Sequence, residues 1–306
     1  MMCVCAGLQN CRRAKVKVHF QTSARIQGVA WLDDAMSKIY VVCQNWNTIN
    51  VFHALPPYEQ LRGIHVSGLK EPTDIVACNT NRLLYVPDRA ERCVWQVTTG
   101  GKTDLHLLLW TPTKRKASAV LPVSLSVRSG RLVVVEIRKI SIYDSVSDKI
   151  DEIGFSDSVT LHHAVESDHR SILVALSDRS VDLNHSTIQE MNPDVTGEWL
   201  PTNEWNLETI GSPSAKICQP LYMAWGVCGN LYVAIHDKQR ILVLDSSLNR
   251  VRCVRLSKRS TPSRLCFLSR QRKQFLVVDV GFGVDMYDGV IPSDQYPKDE
   301  TIGHTV

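Results

Sequence analysis

Several signatures that would assign this 306-residue chain a chemistry are missing. It has no G-x-S-x-G elbow, no Walker loop and no G-x-G-x-x-G, so a strained serine nucleophile, a P-loop phosphate cradle and a dinucleotide fold are not indicated. No apolar run approaches the roughly 18 residues of a membrane helix, which predicts a protein with no membrane partner. The start, M-M-C-V-C-A-G-L-Q-N-C, is too short for a secretory signal, and its charges at Arg12, Arg13, Lys15 and Lys17 follow the apolar part instead of preceding it. The ten cysteines include no C-x-x-C, and Cys3, Cys5 and Cys11 have the wrong spacing for a zinc finger. Cys43, Cys78, Cys93, Cys218, Cys228, Cys253 and Cys266 lie in or beside strand-like runs, where a thiol packs as a small hydrophobe. Free buried thiols are therefore expected ahead of disulfides or metal, and with them a cytoplasmic location. The one sequon, Asn184-His185-Ser186, reads as a chance match.

What the chain does have is a repeat. A run rich in Val, Ile and Leu recurs as I-Y-V-V-C (39–43), L-L-Y-V-P-D (83–88), L-V-V-V-E (132–136), I-L-V-A-L (172–176), L-Y-V-A-I (231–235) and F-L-V-V-D (275–279). From Ile39 through Leu84, Leu132, Ile172 and Leu231 to Phe275 the steps are 45, 48, 40, 59 and 44 residues, the period of one four-stranded propeller blade. The expectation is an all-β, six-bladed β-propeller of four-stranded antiparallel blades, spanning 13–290 as one domain. Its blades fall at about 25–66, 67–110, 111–157, 158–206, 207–257 and 258–288, with tails at 1–12 and 291–306.

Within the second unit the strands are predicted at 73–78, 83–87, 93–97 and 104–110, joined by turn compositions such as N-T-N and T-G-G-K-T. The last unit lacks a fourth strand, and a bare edge at 284–287 would invite aggregation. The alternating run at 14–21, containing K-V-K-V-H-F, has no role in the first unit and is the predicted outer strand that closes the last blade. The fourth unit is the weakest: its third strand is placed at 181–184, followed by an insertion over 189–214 that carries Trp199 and Trp205.

These motifs resemble the NHL-type six-bladed propellers. The likeness rests on Pro72-Thr73-Asp74-Ile75-Val76-Ala77 and Pro220-Leu221-Tyr222-Met223-Ala224-Trp225, on Leu84-Tyr85-Val86-Pro87-Asp88 and Gly229-Asn230-Leu231-Tyr232-Val233-Ala234, and on R-I-L-V-L-D at 240–245. The segments H-A-V-E-S (163–167) and S-R-L-C-F (263–267) are similar to uncharacterised invertebrate NHL or tripartite-motif-like propellers. The resemblance implies an interaction module, in several family members an RNA-binding one. Nothing like a RING or B-box precedes residue 13, so it does not imply ubiquitin-ligase activity.

Three sets of residues could carry chemistry. Asp88, Glu136 and Asp279 close equivalent second strands, and acids converging on a ring axis could hold calcium in a lactonase-like, metal-assisted hydrolase; this is the alternative function. Among the ten histidines, His162, His163 and His236 are candidates for the channel, though they share no position within their units. Basic residues form the third set. The formal net charge is only +4, yet nine Lys and Arg (Arg250, Arg252, Arg255, Lys258, Arg259, Arg264, Arg270, Arg272 and Lys273) and no acid fall between Ser246 and Val278. On the face shared by the b–c turns and d–a connections lie Arg89, Arg92, Arg138, Lys139, Lys238 and Arg240, together with Lys114, Arg115, Lys116, Lys258 and Arg259. Such a face suits a protein partner or an RNA backbone. The predicted function is thus a monomeric, non-catalytic interaction module with no cofactor, binding a protein or RNA through that face.

Overall fold

The computed structural model describes residues 11–13, 15–32, 37–54, 58–99, 108–110, 121–144, 149–167, 170–178, 185–206, 221–226, 229–235, 239–256, 262–270, 273–279 and 283–288. All regular structure among them is β-strand, so no described helix is long and apolar enough to cross a membrane.

Two short strands come first, β1 (Cys11–Arg13) and β2 (Lys15–Gln21), and the rest follow as successive hairpins. The first sheet holds β3 (Ile26–Leu32), β4 (Lys38–Cys43), β5 (Thr48–His53) and β6 (Gln60–His65). The second holds β7 (Val76–Cys78), β8 (Leu83–Asp88), β9 (Cys93–Thr98) and β10 (Leu108–Trp110). β11 (Pro122–Arg128), β12 (Arg131–Glu136), β13 (Lys139–Tyr143) and β14 (Lys149–Gly154) make the third. The fourth contains β15 (Val159–Glu166), β16 (Ile172–Asp178), β17 (His185–Pro193) and β18 (Trp199–Asn206). β19 (Leu221–Trp225), β20 (Leu231–Ile235), β21 (Arg240–Leu244) and β22 (Arg250–Arg255) form the next, and β23 (Arg264–Arg270), β24 (Lys273–Asp279) and β25 (Gly283–Asp288) the last.

The chain is an all-β propeller of four-stranded antiparallel blades. β2 lies outermost on the last sheet, antiparallel to β25, with Val18 opposite Met286 and Phe20 opposite Val284. β1 was expected in a tail; it pairs instead in parallel with β22, Cys11 opposite Cys253, and adds a fifth strand to that sheet. The N-terminal segment therefore runs along the outer edges of two neighbouring sheets.

The second strands are buried on both faces, as their continuous apolar sequences require: β4, β8, β12 and β20 have no exposed residue. At about 2 kcal/mol per buried Val, Leu or Ile side chain, these strands carry much of the stabilisation. Outer strands alternate with solvent instead, as in β6 and β14. Apolar clusters then join each sheet to the next. Ala30 and Tyr40 meet Val86 and Trp95; Tyr85 meets Leu132; Ile142 meets Val174; Leu173 meets Val233; Tyr232 meets Tyr287. A further cluster returns from Val284 and Met286 to Ile26, Val41 and Phe52 of the first sheet. The inner strands β3, β7, β11, β15, β19 and β23 contact one another in that order, and β23 contacts β3. Gly28 permits this close approach: a Cβ there would sit 2.6 Å from the Ile75 nitrogen.

The fourth sheet differs from its prediction. Its third strand is β17, and the residues read as an insertion supply most of β17 and all of β18. The predicted strand at 181–184 lies outside the described residues. Among the paired residues, the outer hairpin turns at Asp194, whose carboxylate accepts the N–H groups of Thr196 and Glu198, with Gly197 at φ +85°.

Candidate functional site

At the end where the inner strands begin, the ring axis is closed by a buried polar cluster. Asp74, fully buried just before β7, accepts the backbone N–H of Ile75 (2.9 Å) and of Leu125 on the neighbouring sheet (3.0 Å). The Tyr222 hydroxyl donates to it from 3.4 Å, and the Arg264 guanidinium forms an ion pair with it at 3.4 Å. Arg264 also donates to the Thr73 carbonyl and lies over the Tyr222 ring, 4.8 Å from its centroid. His163 also packs against Tyr222, with ring centroids 3.8 Å apart. Met223 N–H donates to its Nδ1 (3.3 Å), so Nε2 carries the proton and donates to the Leu125 carbonyl (3.1 Å). Burial, and secondly the positive charge of Arg264, push the His163 imidazole down to about 3, so it stays neutral. Burial pushes the Asp74 carboxyl up to about 6, against the opposing pull of Arg264 and its hydrogen bonds.

Below this plug the axis opens into a cavity of about 440 Å³ lined by residues of β3, β7, β11, β15, β19 and β23, with Trp31, Met223, Trp225 and Phe267 among its large side chains and Arg128 and Glu166 also in its wall. A second pocket of about 600 Å³ adjoins it between the third and fourth sheets and shares Arg128 and Glu166 with it.

The predicted site residues are placed as follows. The Asp88 carboxylate, fully buried, accepts five N–H groups: the backbones of Lys70 (2.7 Å), Glu71 (3.1 Å), Ala90 (3.0 Å) and Glu91 (3.1 Å), and Trp95 Nε1 (3.3 Å). It closes a turn. Glu136 accepts the Ser141 hydroxyl at 2.8 Å and lies 3.9 Å from Lys139; burial raises its carboxyl, offset by Ser141 and Lys139. Asp88, Glu136 and Asp279 stand on three separate sheets, on strands one place out from the axis, and neither Asp88 nor Glu136 lines the axial cavity. Among the described residues no group of three His, Cys, Asp or Glu side chains is gathered as a metal site would need. Of the histidines, His163 does reach the axis, His162 bonds the Ser177 hydroxyl (2.7 Å), and His236 lies outside the described residues.

On the turn-bearing face, at the same end as this plug, Arg89 and Arg92 are exposed between β8 and β9. Arg138 pairs with Asp157 (2.7 Å) and Lys139 with Glu152 (2.9 Å), so part of the predicted basic face is locally neutralised, and Lys70, outside the predicted set, pairs with Glu91. Exposed Ile137 stands beside Arg138, and Arg240 is half-buried at the start of β21. Lys114, Arg115, Lys116, Lys238, Lys258 and Arg259 lie outside the described residues. Residue types did not distinguish Arg264 from its basic neighbours or mark Asp74 within its Pro-Thr-Asp-Ile motif as buried. The apolar residues that follow each of them were the available signal.

No protein-family model matches the chain, and no curated protein is similar to it in sequence. Solved structures are similar in fold. A putative gluconolactonase matches with a TM-score of 0.62 at 11% identity, covering 90% of this chain and 92% of that one. Hydrazine synthase of Kuenenia stuttgartiensis matches at 0.60 and 12%, covering 87% and 84%. Virginiamycin B lyase of Staphylococcus aureus matches at 0.55 and 10%, covering 89% and 98%. Identities this low establish the propeller fold alone.

Proposed function

We propose that the chain is a six-bladed, NHL-like propeller, closed by β2 on the last blade, that serves as a monomeric, non-catalytic interaction module in the cytoplasm. Its partner is a protein docked on the face of the b–c turns. One observation carries this: the polar groups at that end are already bonded within the chain. Asp88 accepts five donors, Asp74 is held by Leu125, Ile75, Tyr222 and Arg264, and both His163 nitrogens are engaged. A metal-assisted hydrolase built on Asp88 and Glu136 would have to break the turn that Asp88 closes. Among the described residues, Arg89, Arg92 and the apolar Ile137 stand outward on this face, a mixture suited to a protein surface. The pairing of Arg138, Lys139 and Lys70 with acids disfavours an uninterrupted phosphate track. Buried free thiols at Cys43, Cys78, Cys93 and Cys253 support the reducing compartment.

The test is affinity capture with native protein, with and without RNase, against a variant carrying Arg89→Ala, Arg92→Ala and Ile137→Ser. These are exposed positions, so the fold should be unchanged. A protein retained by the native chain, resistant to RNase and lost with the variant is expected. Loss on RNase treatment, with a gel shift of single-stranded RNA at low salt, would move the assignment to RNA. Lactone hydrolysis dependent on calcium and abolished by Glu136→Gln would replace it with the enzyme.

A further inference from the structure

The end of the ring where the inner strands finish holds groups that the turn-face function does not use. A two-residue hairpin of Ser129 and Gly130, both with positive φ, joins β11 to β12 and sets Arg128 directly opposite Arg131. Both turn toward Glu166 at the end of β15. Arg131 forms an ion pair with Glu166 Oε1, and Arg128 donates to the Glu166 carbonyl at 3.1 Å while lying 4.9 Å from the Trp225 ring centroid. Trp225 Nε1 donates to the same carbonyl at 2.8 Å. Exposed Arg170 completes a group of three guanidiniums around the second pocket, where the other acid, Asp151, accepts Trp199 Nε1 at 2.7 Å.

Three buried polar atoms along this crevice have no hydrogen-bond partner among the described residues. They are Arg131 Nε, Glu166 Oε2 and Trp31 Nε1. Leaving such groups unsatisfied costs about 1–3 kcal/mol each, more for charged ones. Two are donors and one is an acceptor. Three guanidiniums against two acids leave the second pocket with a surplus of positive charge, whereas the axial cavity beside it is walled by Trp31, Met223, Trp225 and Phe267.

We propose that this crevice binds a small hydroxylated organic carboxylate with an apolar, ring-sized body. The body fills the axial cavity among the aromatic side chains. The carboxylate accepts from Arg131 Nε and meets the charge of Arg128 and Arg170. The ligand hydroxyl donates to Glu166 Oε2, so the charge of Glu166, already countered by Arg131, becomes an orienting group. A cation is disfavoured because it would meet three guanidiniums. The site is at the opposite end of the axis from the plug and the turn face, and it stands or falls independently of the partner proposed there.

The probe is 2-hydroxy-2-(2-naphthyl)acetate, titrated by its fluorescence against native protein. Comparators are 2-naphthylacetate without the hydroxyl, 2-naphthylmethanol without the carboxylate, and 2-naphthylmethylammonium. Saturable one-to-one binding is expected, at least tenfold weaker for 2-naphthylmethanol, several-fold weaker for 2-naphthylacetate, and undetectable for the ammonium compound. Arg170→Ala, at an exposed position, should weaken the hydroxy acid several-fold while leaving 2-naphthylmethanol unchanged. Equal affinity for 2-naphthylmethanol, measurable binding of the ammonium compound, or no binding of the hydroxy acid at millimolar concentration would each overturn the proposal. The comparator series on native protein decides the matter even if a variant fails to fold.

Discussion

Replacing Arg264 by Leu should destabilise the protein in a strongly pH-dependent way. Arg264 is the cation facing Asp74, a fully buried carboxylate whose burial raises it from an ordinary 3.8 to about 6. A carboxyl that holds its proton more tightly when folded than when unfolded favours folding in acid. Its ionisation therefore costs nothing below about pH 3.8, costs progressively more as pH rises to about 6, and costs its full amount above that. At about 1.4 kcal/mol per pH unit, the native cost at neutral pH is roughly 3 kcal/mol. Arg264 holds that cost down, so its removal moves the upper edge of the window above 6. Breaking a buried pair from one side typically costs about 3–5 kcal/mol, and the N–H groups of Leu125 and Ile75 and the Tyr222 hydroxyl remain, so the lower figure applies at pH 7.5. At pH 4.5 Asp74 is largely protonated in both proteins, and only the lost bonds to the Thr73 and Ser263 carbonyls remain, about 1 kcal/mol. His163 works in the same direction. Its stability contribution is present above about pH 6.5 and is lost as pH falls toward 3, and without Arg264 that loss is smaller. Urea unfolding followed by tryptophan fluorescence at pH 4.5, 6.0 and 7.5 measures the difference. A second variant, Asp74→Asn with Arg264→Leu, should lose most of the pH dependence. An equal loss at pH 4.5 and 7.5 for Arg264→Leu would refute the assignment of Asp74 as a buried charge.

Asp88→Ala should cost about 3 kcal/mol or more, because it leaves five N–H donors without their acceptor; a change within 1 kcal/mol by thermal or urea unfolding would contradict the structure. Cys43, Cys78, Cys93 and Cys253 should resist a thiol reagent in the native state and react as free thiols once the chain is unfolded without reductant; burial, with the charges of Asp88 and Glu91, pushes the Cys93 thiol up to about 12. Deleting residues 1–22 removes both β1 and β2, bares the edges of β22 and β25, and should yield aggregated or strongly destabilised protein on size-exclusion chromatography. A monomeric truncated chain with an unchanged melting temperature would mean that neither pairing contributes.

The parts of the fold legible in the sequence were those buried on both faces. Runs such as L-V-V-V-E and L-Y-V-A-I tolerate no polar residue except at their ends, so they stand out whatever surrounds them. Outer strands carry no such mark. Among the described residues the buried apolar side chains of β17 are Ile188 and Met191, beside the polar Ser186 and Thr187, and H-S-T-I-Q-E-M-N-P followed by W-L-P-T-N-E-W-N looks like an elaborated loop. β1 is three residues long and pairs in parallel with a strand some 240 residues away, which no local pattern encodes. The axial residues were hidden for a different reason. Asp74, His163, Tyr222 and Arg264 come from four sheets and from four sequence neighbourhoods, and only closure of the ring brings them together. Arg264 in particular shares its residue type with the basic positions around it, and only its place over the Tyr222 ring sets it apart.

That closure also explains why the two ends of the axis can serve different purposes. Asp74 binds the third sheet through Leu125, the fifth through Tyr222 and the last through Arg264, while His163 ties the fourth sheet to the third and fifth. Five inner strands are thus cross-linked by bonds that all lie within a few residues of where those strands begin. Below them the axial cavity is walled largely by apolar side chains, and the polar links there converge on the Glu166 carbonyl, which accepts Arg128 and Trp225 Nε1. The Ser129–Gly130 hairpin and Arg170 lie at the other end of the inner strands from Arg89 and Ile137, and share no direct contact with them in the hydrogen bonds and ion pairs of the described residues. Effects of changes at the two ends should therefore add, within the few tenths of a kcal/mol typical of distant, independent sites. Combining Arg170→Ala with Arg89→Ala tests this directly. If the double variant loses ligand affinity or stability well beyond the sum of the single ones, the plug does not isolate the ends, and the crevice and the turn face belong to one coupled site.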